Sequence, residues 1–307
     1  VTATSAVRIA LVYPDLLGTY GDSGNAVVLA QRLRWRGYPA EVTTVLAGAI
    51  VPAGCDLYVV GGGEDLPQAL AARQLGRPGP LHRAVADGAA VLAICAGLQI
   101  LGTRFVGPDG VETDGLGLID CRSVRGTGRR AVGELVVDPH PDSGLPTLTG
   151  YENHGGRTLL GPDARPAGWT RIGVGNGDRL PVDGRQLLDS SRPLDSSRPL
   201  DGSQPRDGAP PTDGAWTGRI WGTYLHGPAL ARNPALADLL LSWVVGDLAP
   251  LDDRASDALR AERLLAAPAE SSAPVPSRAR AAAGAIVRAR RRRRAGVAAV
   301  DMAEGGR

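Results

Sequence analysis

Lysine is missing altogether: all 34 basic residues among the 307 are arginine. A P-loop nucleotide site is thereby excluded from this chain, because that loop needs a lysine on the terminal phosphates. Aromatics make up only 4%, with a single phenylalanine, so a core must be built from valine, leucine, isoleucine and alanine. Cysteine is limited to Cys55, Cys95 and Cys121. An odd number without C-x-x-C spacing argues against a disulfide framework or a metal site. No apolar run approaches the roughly 18 residues of a membrane span, and no charged segment leads into an apolar one as in a secretory leader. The expectation is a cytoplasmic protein without direct membrane insertion. Acids are absent from residues 271–300, which hold eight arginines; setting these against the formal charge of +2 leaves −6 for the remainder. The body is therefore mildly acidic and offers no nucleic-acid surface.

What is present reads as an α/β chain. Strands are expected at 7–13, 41–45, 56–60 and 89–94. Between them lie a helix that stops at Gly37 and helices at 66–75 and 80–87, with another opening at 97–102. Strands alternating with helices imply a parallel sheet covered on both faces. Beyond Gly115 short strands, turns and glycines dominate to about Gly177, which predicts a strand-rich second half of the same domain. Helices are expected at 235–245 and 252–267. Two segments stand apart. Residues 181–214 are rich in Pro, Gly, Asp and Ser and contain Leu-Asp-Ser-Ser-Arg-Pro twice, at 188–193 and 194–199; they are expected to be a disordered insertion. Residues 268–307 read as a disordered tail rich in Arg. The organisation expected is a domain at 1–250, a helix at 251–267 and the tail.

The chemistry concentrates at Cys95. An apolar strand runs directly into it, the small residues Ala96 and Gly97 follow, and a helix begins. This is the strand–turn–helix layout of a nucleophile elbow, in which the tight turn requires small neighbours. The helix N-terminus favours a thiolate and offers free amides to a developing oxyanion. A buried core cysteine would also follow a strand, so Cys95 alone is not decisive. Gly61-Gly62-Gly63 ends the preceding strand at the same sheet edge, either as a second oxyanion donor or as a plain turn.

A cysteine nucleophile needs a base, and only His82, His140, His154 and His226 exist. His226 is delivered by an apolar strand into a Gly-Pro turn and is the best placed. His154 lies in the glycine-dense run Gly150-Tyr151-Glu152-Asn153-His154-Gly155-Gly156-Arg157. His82 and His140 read as ordinary surface histidines.

Six segments in this order resemble the cobyric-acid-synthase (CobB/CobQ-like) type of class I glutamine amidotransferase. They are Tyr20-Gly21-Asp22-Ser23-Gly24-Asn25, Gly61-Gly62-Gly63-Glu64-Asp65, Ile94-Cys95-Ala96-Gly97-Leu98-Gln99, Pro108-Asp109-Gly110 with Gly115-Leu116-Gly117, the Gly150 to Arg157 run, and Gly222-Thr223-Tyr224-Leu225-His226-Gly227-Pro228. The resemblance implies a flavodoxin-like three-layer sandwich with a mostly parallel central sheet. It implies that Cys95 forms a glutamyl thioester, that His226 shuttles protons, and that the amides of Gly62, Gly63 and Ala96 form the oxyanion hole. Arg129 would bind the α-carboxylate of L-glutamine, with the register against Arg130 left open, and Gln99, His154 and Gly155 would line the pocket. Triad members of the wider class carry a glutamate two residues after the histidine. Pro228 occupies that place, so the third member is absent, local and unrecognised, or supplied by a partner.

Within the family the segments look like the branch that amidates lipid II. That implies a heterodimer with a Mur-ligase-like subunit that carries ATP and Mg2+ and meets lipid II, while this chain holds no cofactor of its own. Three other readings stay open: an amidotransferase for a cobyric-acid-like acceptor, a stand-alone Cys-His hydrolase, and a non-catalytic assembly subunit.

Overall fold

The computed structural model describes residues 5–107, 109–126, 130–177 and 211–271. The first half winds through β1 (Val7–Val12), α1 (Gly24–Trp35), β2 (Ala40–Val45), β3 (Leu57–Val60), α2 (Asp65–Leu75), α3 (Pro80–Ala86), β4 (Ala90–Ile94) and α4 (Ala96–Leu101). The second half adds β5 (Arg104–Val106), β6 (Glu112–Asp114), β7 (Cys121–Arg125), β8 (Ala131–Pro139), β9 (Leu148–His154), β10 (Gly156–Leu160) and β11 (Gly168–Ile172). It continues with β12 (Thr212–Asp213), β13 (Ala215–Thr217), β14 (Ile220–Thr223), α5 (Ala229–Arg232), α6 (Pro234–Val245) and α7 (Arg254–Ser271).

The central sheet has the order β13-β14-β4-β3-β1-β2 and is parallel except where β13 pairs antiparallel with β14. Every residue of β3 and β4 is buried, as expected of parallel strands covered on both faces. On one side α1 packs against α5 and α6; elsewhere α2 packs on α4. The α/β class and the strand-rich second half are thus as the sequence led us to expect. The second half forms two further four-stranded sheets, β10-β7-β5-β6 and β12-β11-β8-β9.

The chain leaves β1 for β2 on one side and reaches β3 and β4 on the other. This reversal creates a crevice at the carboxyl ends of the strands, where open α/β sheets bind ligands. The loops after β1, β3, β4 and β14 all open there.

Two expectations require correction. The insertion ends before 214, because Thr212 and Asp213 pair with Trp169 and Gly168 of β11. Two polar residues between turns carry no apolar signal, so only their tertiary partners reveal this strand. The C-terminal helix continues to Ser271 rather than 267. Residues 181–210 and 272–307 of the expected insertion and tail lie outside the described residues. Among the described residues no helix is long and apolar enough to cross a membrane.

Candidate active site

Cys95 links β4 to α4 with φ 50° and ψ −103°. A positive φ is costly for any residue with a Cβ and persists only where the surroundings impose it. Here they do: the Cys95 amide donates to the Thr223 carbonyl of the neighbouring strand (2.8 Å), and a Cβ on Gly97 would lie 2.3 Å from the Val60 carbonyl. The strand holds one end of the turn and close packing on β3 holds the other. The thiol is only 5% exposed.

The parallel register of β14 with β4 sets Thr223 beside Ile94. The chain then carries His226 over the end of the sheet, where its amide donates to the Tyr151 carbonyl of β9 (2.7 Å). The His226 ring is completely buried, and its Nδ1 lies 2.9 Å from Oδ2 of an equally buried Asp22. Asp22 also accepts from the Gly62 amide (2.9 Å) and, more loosely, from the Gly227 amide (3.4 Å). With a carboxylate on Nδ1, that nitrogen is the donor, and Nε2 is left without a hydrogen-bond partner. The nearby Cys95 thiol influences the ring without meeting hydrogen-bond geometry. Burial by itself would lower the His226 pKa; the Asp22 hydrogen bond and the Cys95 thiol outweigh it and push it up to about 10. The buried carboxylate and the neighbouring thiol thus favour an imidazolium, the partner a thiolate needs.

Asp22 is the carboxylate that meets His226, a partner for which the sequence offered no candidate. It comes from the loop after β1, while Pro228, at the position of the usual glutamate, packs against Gly24, the first residue of α1 at the end of that loop: a Cβ on Gly24 would lie 2.8 Å from Pro228 Cγ. The signal was present in the Tyr20–Asn25 segment, but nothing local marks that aspartate as facing a histidine 204 residues away.

The oxyanion donors need revision. The Gly62 amide is already given to Asp22, which removes it from the expected set. A Cβ on Gly62 would sit 2.4 Å from His226 Cε1, so glycine is there to let the histidine approach. Gly63 and Ala96 remain in the set; Ala96 is the first residue of α4, where an amide has no partner within its helix.

The other expected pocket residues fare unequally. Gln99 is buried with both ends of its amide engaged: Oε1 accepts from Gln68 (2.9 Å) and Nε2 donates to the Tyr224 hydroxyl (3.0 Å). It therefore braces the elbow rather than standing free for a substrate. His154 is likewise a brace. Its Nε2 is 3.1 Å from Glu152 Oε2, its Nδ1 is 3.0 Å from the Gly156 carbonyl, and its ring stacks on Tyr224 at 3.9 Å. Both ring nitrogens are thereby engaged, one at Glu152 and one at the Gly156 carbonyl. Gly155 is exposed and its carbonyl accepts from the Gly126 amide. His82 is no surface bystander: Nδ1 accepts from the Gly79 amide and Nε2 reaches the Leu116 carbonyl (2.8 Å), joining α3 to the loop before β7.

Arg129 lies outside the described residues, but Arg130 stands at the mouth. Its Nη2 donates to the Asn153 carbonyl (3.1 Å) and reaches the Tyr20 hydroxyl (3.4 Å). The Tyr20 ring lies 4.7 Å from that of His226, and its hydroxyl donates to Glu64 Oε1 (2.9 Å). Neither of two open clefts elsewhere, one beside Arg77 and Gly115 and one beside Arg8 and Arg219, includes Cys95. A nucleophile on a strained elbow, a buried histidine with an orienting carboxylate, and amides at a helix start can together perform acyl transfer.

Residues 8–234 match the family model of the CobB/CobQ-like glutamine amidotransferase domain, and the chain belongs to that family. It is 33% identical over 229 residues to the GatD subunit of the glutamine-hydrolysing lipid II isoglutaminyl synthase of Staphylococcus aureus, covering 74% of this chain and 79% of the relative. Identity to the Streptococcus pneumoniae GatD subunit is 29% over 238 residues, covering 77% and 79%. The cobyric acid synthase of Rhodobacter capsulatus is 35% identical over 153 residues, but these are 48% of this chain and only 31% of that enzyme.

Proposed function

We propose that this chain is the glutaminase subunit of a lipid II isoglutaminyl synthase. The Cys95–His226–Asp22 arrangement carries the chemical half of this reading, and the extent of the likeness to the two GatD subunits carries the biological half. The Cys95 thiolate attacks the side-chain carboxamide carbon of L-glutamine. The carbonyl oxygen becomes an oxyanion facing the Gly63 and Ala96 amides. His226 Nε2 gives a proton to the departing nitrogen, the C–N bond breaks, and ammonia leaves a glutamyl thioester on Cys95. Water, deprotonated by the same nitrogen, then attacks the thioester and releases glutamate and the thiolate. Asp22 holds the ring with Nε2 toward the sulfur throughout. Arg130, or Arg129, binds the α-carboxylate with a bidentate fork.

The ammonia passes to a MurT-like ligase subunit, which uses ATP and Mg2+ to activate the α-carboxylate of D-glutamate in lipid II; amidation gives D-isoglutamine for peptidoglycan synthesis in the cytoplasm. Only unprotonated ammonia attacks, so a sheltered path and a stable heterodimer are expected. The test is reconstitution with the ligase subunit, ATP and lipid II. Amidated lipid II that depends on Cys95 when glutamine is the nitrogen source, but not when ammonium is supplied, supports the assignment. Cys95-dependent glutamine hydrolysis without any amidated lipid II would point to another acceptor.

A further inference from the structure

The mouth of the site carries a second charge that the reaction does not use. Glu64 directly follows Gly61-Gly62-Gly63 and stands at the N-cap of α2, where an acidic side chain would ordinarily bond to the first helical amides. It makes no such bond. Its carboxylate turns instead to the Tyr20 hydroxyl, with Oε2 4.0 Å from Arg130 Nη2. An anion and a cation thus face each other beside the tyrosine that covers the catalytic histidine. Both are about half exposed and 4.0 Å apart, so the pair is weakly coupled and can be exchanged for other partners at little cost.

We infer that Glu64 is the subsite for the α-ammonium group of the substrate and makes the enzyme selective for free L-glutamine. The inference rests on the glutaminase reading. The α-carbon of glutamine lies about 4 Å from its carboxamide carbon, so a carboxamide at Cys95 leaves the zwitterionic end near the mouth. There the α-carboxylate takes the place of Glu64 beside Arg130, and the α-ammonium takes the place of Arg130 beside Glu64. Charge balance is kept while the substrate swaps in. Tyr20 bridges the two side chains, so the same exchange loosens its hold over His226. A peptide-bound or N-acylated glutamine has no ammonium to offer and leaves Glu64 an unmatched anion next to the incoming carboxylate.

The test compares the full chain with Glu64→Gln, using L-glutamine and N-acetyl-L-glutamine and reading carboxamide hydrolysis, with Cys95→Ala as blank. Gln keeps the length and the hydrogen bond to Tyr20, and melting temperatures check the fold. Expected is a rise of about 10-fold in KM for L-glutamine, larger than the effect on kcat, and a similar narrowing of the preference over the N-acetyl compound. Cys95-dependent hydrolysis with an unchanged preference in the variant would overturn the Glu64 assignment alone. Wild-type protein that hydrolyses neither amide in a Cys95-dependent way, even with the ligase subunit present, would overturn the reading beneath it.

Discussion

Asp22 and His226 are separated by 204 residues and meet at 2.9 Å, and the account asks most of this contact at the residue scale. Asp22→Asn retains the shape but presents an amide that no longer fixes which ring nitrogen carries the proton. We expect kcat for glutamine hydrolysis to fall at least about 100-fold with KM little changed, by analogy with the orienting aspartate of serine proteases. A variant within a few-fold of wild type would show that the carboxylate is structural. Gly62→Ala tests the same contact from the other side, because the added Cβ would lie 2.4 Å from His226 Cε1. Activity should be lost with much less loss of stability, measured by thermal unfolding alongside glutamate release. Cys95 and His226 were legible in the sequence because each sits at the end of an apolar strand beside small residues. Asp22 was not, since an aspartate in a polar loop looks the same whether or not it faces a histidine. Gln99 and His154 were visible as unusual residues, but their bonds to Gln68, Tyr224 and Glu152 depend on tertiary contacts that spacing does not encode.

At the scale of elements, two buried acids hold the strand-rich half against the site. Glu152 on β9 accepts from the Val174 and Gly175 amides and pairs with His154, with both side chains at 3% exposure or less. Removing the histidine takes a hydrogen-bond partner from a buried Glu152 oxygen and leaves a void beside Tyr224. His154→Ala should therefore lower unfolding stability by about 3 kcal/mol, measured by urea denaturation. A loss near zero would mean that the two backbone amides suffice for Glu152. Asp213 on β12 is buried, and desolvation raises its pKa to about 7 despite hydrogen bonds from Thr223 and the Tyr224 amide. A folded-state pKa above the unfolded value gives stability that is full below pH 3.8 and lost as pH rises through about 7. Unfolding free energy should accordingly decline across that window, and Asp213→Asn should flatten the decline; an unchanged slope would contradict the assignment. The central strands and first helices were readable from apolar runs and turn residues, whereas β12 was lost in a Pro/Gly/Asp-rich stretch that carries no apolar pattern.

At the scale of the molecule, an arginine–aspartate network ties the C-terminal segment to the first helix. Arg32 on α1 is 3% exposed and bonds bidentately to Asp238 of α6 and to Asp253 just before α7. The acids outweigh burial and raise its pKa. The chain up to the start of α7 is thereby part of the same folded body as the site, and a truncation must fall beyond it. Deleting residues 272–307 should leave glutamine hydrolysis intact; a large loss would make that segment part of the enzyme. The most direct test of the whole account is glutamate release from L-glutamine by wild type and Cys95→Ala, with and without the ligase subunit. The account predicts release that vanishes in the variant under every condition in which wild type is active. Release that persists in Cys95→Ala, or no release from folded wild-type protein with its partner present, would contradict it.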